Sequence, residues 1–333
     1  MSGPVDAVRR FFAPALPLAR VAWLRRIIYP FVWLDVLWIV TDPIPHGDVP
    51  PSLYRGLVVR SLFGMPAPSH TYVRVLLGVI LVSAAVAACG KLPRLAGFVC
   101  AVGMLDWVSN AFAYSKVDHD HFALIVALFV LPTVGRASTR DVAVRSEAAG
   151  WAIRMIQVGA VSIYALSAWA KVRFGGWGWA NGATLIWALT RRPNGIGPWV
   201  GSHPALTHAL QWVVMVAGFL SPIMLWLKGK ALYAALLFWA GFHLSTYVML
   251  KIHFLPLVVC LFAFLPLERL GSVRDRLRAS SRSAGLERRG TPGGPVVDDR
   301  TPVPTPGHQT SASQHTQVRR HRRQGQAEPS TQL

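Results

Sequence analysis

The sequence predicts an all-α polytopic membrane protein, and three observations predict it. Hydrophobic residues make up 53% of the 333 and charged residues only 15%, where an ordinary soluble domain carries roughly 25% charge. Apolar runs approaching the ~20 residues that cross a bilayer recur along the first 267 positions. The charges fall in the gaps between those runs, as the loops of a multi-pass protein require.

Residues 1–20 form an N-terminal arm. Arg9 and Arg10 are followed by Pro14 and Pro17, which interrupt the apolar part, and no small-residue cleavage site follows, so the arm is not read as a cleaved signal peptide. Phe11 and Phe12 beside the two arginines suit a short helix lying at headgroup level. The membrane domain, residues 21–267, contains about eight spans: 21–40, 74–90, 95–113, 121–135, 150–171, 206–227, 231–250 and 253–267, with seven or nine as alternatives. The fourth and eighth are short for a ~30 Å hydrocarbon core and are expected to tilt less or to be shielded by neighbours. Between spans, residues 41–71 hold six prolines and 173–204 hold seven glycines. In the second loop, Ala183 to Leu189 is expected to form a short interfacial helix ending at Arg191, Arg192 and Pro193. Residues 268–333 are rich in Arg, Ser, Thr, Pro, Gly and Gln and poor in aliphatic residues, and are expected to be a disordered basic tail.

The net charge of +19 would suggest nucleic acid in a soluble protein, but its position argues otherwise: +6 falls after Leu267 and +13 along the apolar part. Counting Lys and Arg by loop places 25 of 34 on the side of the two termini. Both termini are therefore expected in the cytoplasm, with the tail drawn to anionic lipid. Cys89, Cys100 and Cys260 lie in apolar stretches without a C-x-x-C spacing and read as packing residues.

An ionisable side chain inside a span costs roughly 2.5 to 3.5 kcal/mol near its centre, so each asks for a reason. Asp35, Asp106 with Asn110, His121, Lys171, and His243 with Tyr247 all fall in the outer halves of their spans under this orientation. The inner halves offer mainly Arg154 and Gln157. One polar cavity open to the outer side explains the asymmetry economically. The alternatives are snorkelling at the interface for the outermost groups, His119, Lys251 and His253, and helix-to-helix hydrogen bonding for Asp35, Asp106 and His243. Most of the 13 tryptophans read as an interfacial belt; Trp177 and Trp179, beside Lys171 in the glycine-rich loop, are expected to wall or cover the cavity.

No metal is expected. His119 and His121 flank Asp120, but an H-x-H pair on a helix points its rings about 200° apart. H-E-x-x-H, a phosphate-binding glycine loop, G-x-S-x-G and EF-hand patterns are all absent, which leaves hydrolytic and nucleotide-driven chemistry without support.

The stretch Tyr164-Ala-Leu-Ser-Ala-Trp-Ala-Lys171, followed by Gly175-Gly176 and Trp179-Ala-Asn-Gly182, resembles the K…W-x-x-G signature of the HTTM family, bacterial membrane proteins similar to vitamin K-dependent gamma-carboxylase. Asp118-His-Asp-His121-Phe-Ala-Leu, Gly241-Phe-His243 and Ile252-His-Phe-Leu-Pro256 agree in order, so that the resemblance covers roughly residues 20 to 267. It implies a bacterial plasma-membrane protein in which Lys171 is the base that deprotonates an isoprenoid hydroquinone, His121 is its partner, and His243 lies nearby. The chemistry agrees with the residues: a lysine at an apolar boundary has its charged form disfavoured, which makes it available as a base. The longer spacing from Lys171 to Trp179, and a tail in place of a large lumenal domain, argue against glutamate carboxylation. Two function classes follow. One is an enzyme acting on a lipid quinone or hydroquinone. The other is a non-enzymatic component that binds, matures or gives immunity to an exported peptide, with a peptide or membrane protein as partner. A proton-coupled transporter would need ionisable groups in the inner halves, where they are scarce.

Overall fold

A computed structural model describes residues 3–114 and 117–271. The expected tail lies outside them from residue 272 onward, and so does its attraction to anionic lipid. Helix α1, Pro4–Phe12, starts on a proline and carries Asp6 in its first turn and Arg9 and Arg10 in its last, all favourable to the helix dipole. Val5, Val8 and Phe12 stay exposed, while Phe11 stacks on Trp226 with ring centroids 5.1 Å apart. Arg9 reaches Glu147 at 2.7 Å.

The chain then turns through a two-residue strand, β1 (Leu16–Pro17), paired antiparallel with β2 (Arg145–Ser146). Every other element named below is helical. Helix α2 is Leu18–Leu34, extended by a π turn over Asp35–Ile39. Then come α3 (His70–Ala88), α4 (Leu95–Phe112), α5 (His121–Val130, extended as a 3-10 turn over Leu131–Val134) and α6 (Glu147–Gly175). After them follow α7 (Ala183–Arg191), α8 (Pro204–Leu220, extended over Ser221–Leu225), α9 (Gly229–Leu250) and α10 (Leu255–Cys260, extended over Leu261–Phe264). Five helical segments, His70–Ala88, Leu95–Phe112, Glu147–Gly175, Pro204–Leu225 and Gly229–Leu250, are long and apolar enough to cross a bilayer. Their outer faces show Val75, Val82, Val102, Val213, Leu237 and Leu244, an apolar exterior that suits lipid and not water. The chain is thus a mostly helical, membrane-embedded protein.

The core lies between α2, α3, α4, α5 and the first half of α6, where Leu24, Ile28, Ile80, Met104, Trp107, Leu124, Leu128, Ile153 and Ile156 are fully buried. Small residues let the backbones close in, as in other membrane helix pairs. A Cβ on Gly97 would stand 2.5 Å from the Pro132 ring and 2.7 Å from the Tyr29 hydroxyl. By contrast α9 is peripheral and buries only Trp239, His243, Met249 and Leu250. The short segments His121–Val134 and Leu255–Phe264 are packed into the core, in keeping with the shielding expected of them.

Two arginines organise the end of the bundle where α6 begins. Buried Arg25 donates to the carbonyls of Leu131 at 2.5 Å and Gly135 at 2.7 Å, the last acceptors of the α5 segment. Arg154 donates to Phe11 O and Leu225 O, both at 3.0 Å, at the ends of α1 and α8. Nearby, Arg20 makes a two-pronged ion pair with Glu268 at 2.5 and 2.6 Å.

Two outcomes test this arrangement. A Cβ on Gly150 would lie 1.5 Å from the Pro14 carbonyl oxygen, so Gly150→Ala should cost about 3 kcal/mol, read as a lowered unfolding midpoint in detergent. The second concerns acid. Burial alone pushes the Glu268 carboxyl up, but hydrogen bonding and charge from Arg20 outweigh it and hold the group below its ordinary value. A depressed carboxylate stabilises the fold above its unfolded value and loses that contribution as pH falls through the folded one. Thermal midpoints should therefore decline below about pH 4.3, and less steeply in Glu268→Gln.

Candidate functional site

A cavity of about 700 Å³ lies between α6, α8, α9, the start of α10 and a roof made of the segment Trp177–Ala180 and α7, a size usual for small-molecule sites. Its first wall is one stripe of α6. Tyr164, Ser167, Ala168 and Lys171 recur at helical spacing on a single face, and two turns, about 10 Å, separate Tyr164 from Lys171. Close packing fixes this wall: a Cβ on Gly218 of α8 would stand 2.9 Å from the Ala168 methyl.

Gly176, at φ +64°, ends α6. The chain then doubles back so that Trp179 comes over Lys171, whose Nζ is 5.2 Å from the indole ring. Lys171 Nζ also donates to Ser167 Oγ at 2.5 Å and Ser167 O at 3.2 Å. Gln211 of α8 holds the roof by donating to Trp179 O at 3.1 Å, and its own Oε1 is buried without a partner. Across the cavity, Trp239 of α9 stacks on Tyr164 at 3.6 Å, 16° from parallel. One turn on, His243 Nε2 meets the Tyr164 hydroxyl at 2.8 Å, while His243 Nδ1 is buried with no partner. Leu210, Val214, Met215 and Leu257 line much of the remainder.

No family model, curated protein or solved structure matches this chain. What the cavity does must therefore be argued from its own groups. It offers one cationic side chain, a tyrosine–histidine pair, two unpartnered polar atoms and several neutral polar groups, His119, Thr184, Ser245 and Thr246 among them, in a chamber whose remaining lining is mostly apolar.

The single polar cavity expected from the sequence divides into one cavity and two separate polar networks, one buried and one partly exposed. Lys171, His243 and Trp179 line the cavity, together with His119. His121 is not among the lining residues. Its ring lies between two carboxylates, with Nε2 3.2 Å from Asp35 Oδ1 and Nδ1 3.2 Å from Asp120 Oδ1. The π turn at Asp35–Ile39 is what brings Asp35 to it, fully buried. Asp106 belongs to the second network, bound by Arg60 and by the Tyr72 hydroxyl. Asn110 is fully buried with its side-chain amide unpartnered, and its carbonyl lies 3.3 Å from His46 Nδ1. Two aromatic assignments also change. Trp177 is 62% exposed and stacks on Trp212 at 6.4 Å, because the turn at Gly176 sends its ring outside the roof that Trp179 closes. Tyr247 is on the outside of α9, with Lys251 Nζ 5.3 Å above its ring. Among the described residues no group of three or more His, Cys, Asp or Glu is arranged to hold a metal.

Tyr164, Gln211 and Trp239 were not singled out from the sequence. Tyr164 could have been, being seven residues before Lys171 and so on its face. Gln211, a lone amide inside an apolar run, carried a similar signal; Trp239 carried none that separates it from belt tryptophans. Breaking one side of the buried Asp35–His121 pair should cost about 3 kcal/mol. Asp35→Ala should accordingly lower the detergent unfolding midpoint far more than Tyr247→Ala. Asp35→Asn combined with His121→Gln should fall short of the sum of the two single losses.

Proposed function

We propose that this chain is an eight-span protein of the bacterial plasma membrane, of the HTTM class, with both termini in the cytoplasm and the cavity toward the outer side. In this reading the cavity admits a lipid quinone or hydroquinone and Lys171 acts as proton acceptor. The observation that carries it is Lys171, the one Lys, Arg, Asp or Glu lining a cavity of about 700 Å³, partly buried beneath Trp179 with a neutral hydroxyl and a carbonyl as hydrogen-bond partners.

An amine so placed takes the proton of a ring hydroxyl: the O–H bond breaks, an N–H bond forms, and an oxyanion is left beside an ammonium. Trp179 and Gln211 keep water from the mouth, as a roof over such a step must. The Tyr164–His243 pair, about two helical turns deeper, offers a hydrogen bond to the far side of a bound ring. His121 serves as a positioning residue, fixing α5 against α2 through Asp35 while Asp120, at the N-cap of α5 itself, holds its imidazole, and is not a group that touches the ring.

Organic extracts of the full chain purified in mild detergent should contain an isoprenoid quinone near one per protein by mass spectrometry. Lys171→Ala and His243→Ala should reduce it several-fold. Bulk phospholipid alone, unchanged across the variants, would remove the quinone reading and leave the exported-peptide one, for which a co-purifying peptide or membrane partner is the sign.

A further inference from the structure

From residue 148 to residue 267 the sequence contains no aspartate or glutamate, while it contains eight lysines and arginines. Helices α6 to α10, the roof included, fall within that stretch apart from Glu147, the first residue of α6. The cavity is therefore built almost wholly from a part of the chain that has no carboxylate to give. His119, from the loop before α5, is the lining residue that comes from elsewhere. The carboxylates behind that wall, Asp35 and Asp120, are both taken up by His121.

Lys171 accordingly has a hydroxyl, a carbonyl and an indole face about its nitrogen, and among the described residues no counter-ion. Lys171 is partly buried, and a cation drawn out of water without an anion is costly unless something supplies the charge. Exposed Arg173, Arg191 and Arg192 flank the roof and extend the same sign to the surface, where it draws anions toward the opening. Away from Lys171 one side of the lining is apolar, through Leu210, Val214, Met215 and Leu257. One charged end and an apolar body are the complement of an amphiphile.

We infer that the cavity takes an anionic amphiphile, with a carboxylate or phosphate head held at Lys171 and Gln211's neighbourhood and an apolar chain along α8 and α10. The inference rests on the reading of this cavity as the ligand site and adds a negative charge to its occupant. It is compatible with a ring oxygen after proton loss, since that too is an oxyanion beside an ammonium. It does not require Lys171 to act as a base.

The test uses the full chain in uncharged detergent, titrated with oleate, oleoyl lysophosphatidate and oleyl alcohol, with quenching of tryptophan fluorescence as readout. At least one of the two anions should bind about 10-fold more tightly than the alcohol, worth a single charge-assisted hydrogen bond. Which of the two is preferred identifies the head group as carboxylate or phosphate. Lys171→Gln should abolish the preference, with a helical circular-dichroism spectrum and a cooperative melt showing that the variant is folded; Lys171→Arg should keep the preference. Equal binding of all three probes to the native chain overturns the inference, and so does a preference that survives in Lys171→Gln. An anion preference in protein whose extracts hold no quinone would sink the quinone reading alone. Stoichiometric quinone without an anion preference would sink this one alone.

Discussion

A helix that ends inside an apolar medium leaves carbonyl oxygens with no water to bond, and buried Arg25 and partly buried Arg154 at the arm end of the bundle answer that requirement. Arg25 closes the end of the α5 segment and Arg154 closes α1 and α8 together. An arginine suits the task because its planar fork donates in two directions at once. Without Arg25, a segment as short as His121–Val134 would end with its last carbonyls buried and unanswered. With it, α5 sits deep in the core and presents His121 to Asp35 and Asp120. The position of the acidic network, and of the cavity wall beside it, therefore depends on a guanidinium at the opposite end of the helix.

The cavity has the complementary origin. Helices α2 to α6 pack closely in their shared core, through small residues and aliphatic side chains. Helix α9 meets the rest through large groups, with Trp239 lying flat on Tyr164 and His243 bonded to the same ring's hydroxyl. A helix held off by an indole cannot also close down on its neighbour, and the space between becomes the chamber. Its roof is a small apolar core of its own, centred on Leu189, Val200, Met249 and Leu250. The chamber is thus an outcome of side-chain size at a few positions of α6 and α9.

Much of this was legible in the sequence. Helices stand in all eight windows that hydropathy marked, because burial in lipid or in the core selects the same long apolar runs. Lys171, His243 and Trp179 also come together as expected. The rest was hidden for identifiable reasons. Charge depth along a span says how far in a residue lies and nothing about which way it faces, so groups at one level were assigned to one cavity. Rotation about the helix axis then separated them: Asp106 turned to Arg60, Asp35 to His121, Tyr247 to the outside. The π turn that aims Asp35 leaves no pattern in the hydropathy.

The seam between the arm and α6 also bears on the order of assembly. The Pro14 carbonyl rests on the space left by Gly150, and Leu16 pairs with Ser146, so these residues of the arm find their partners only after some 130 more have followed. Loop closure over such a length is entropically expensive. The arm must therefore wait, unpaired, while α2 to α5 are laid down, and it locks when α6 arrives. The arm is made before its partners and fixed after them, and it acts as a clasp that closes across α2 to α5 once α6 is in place.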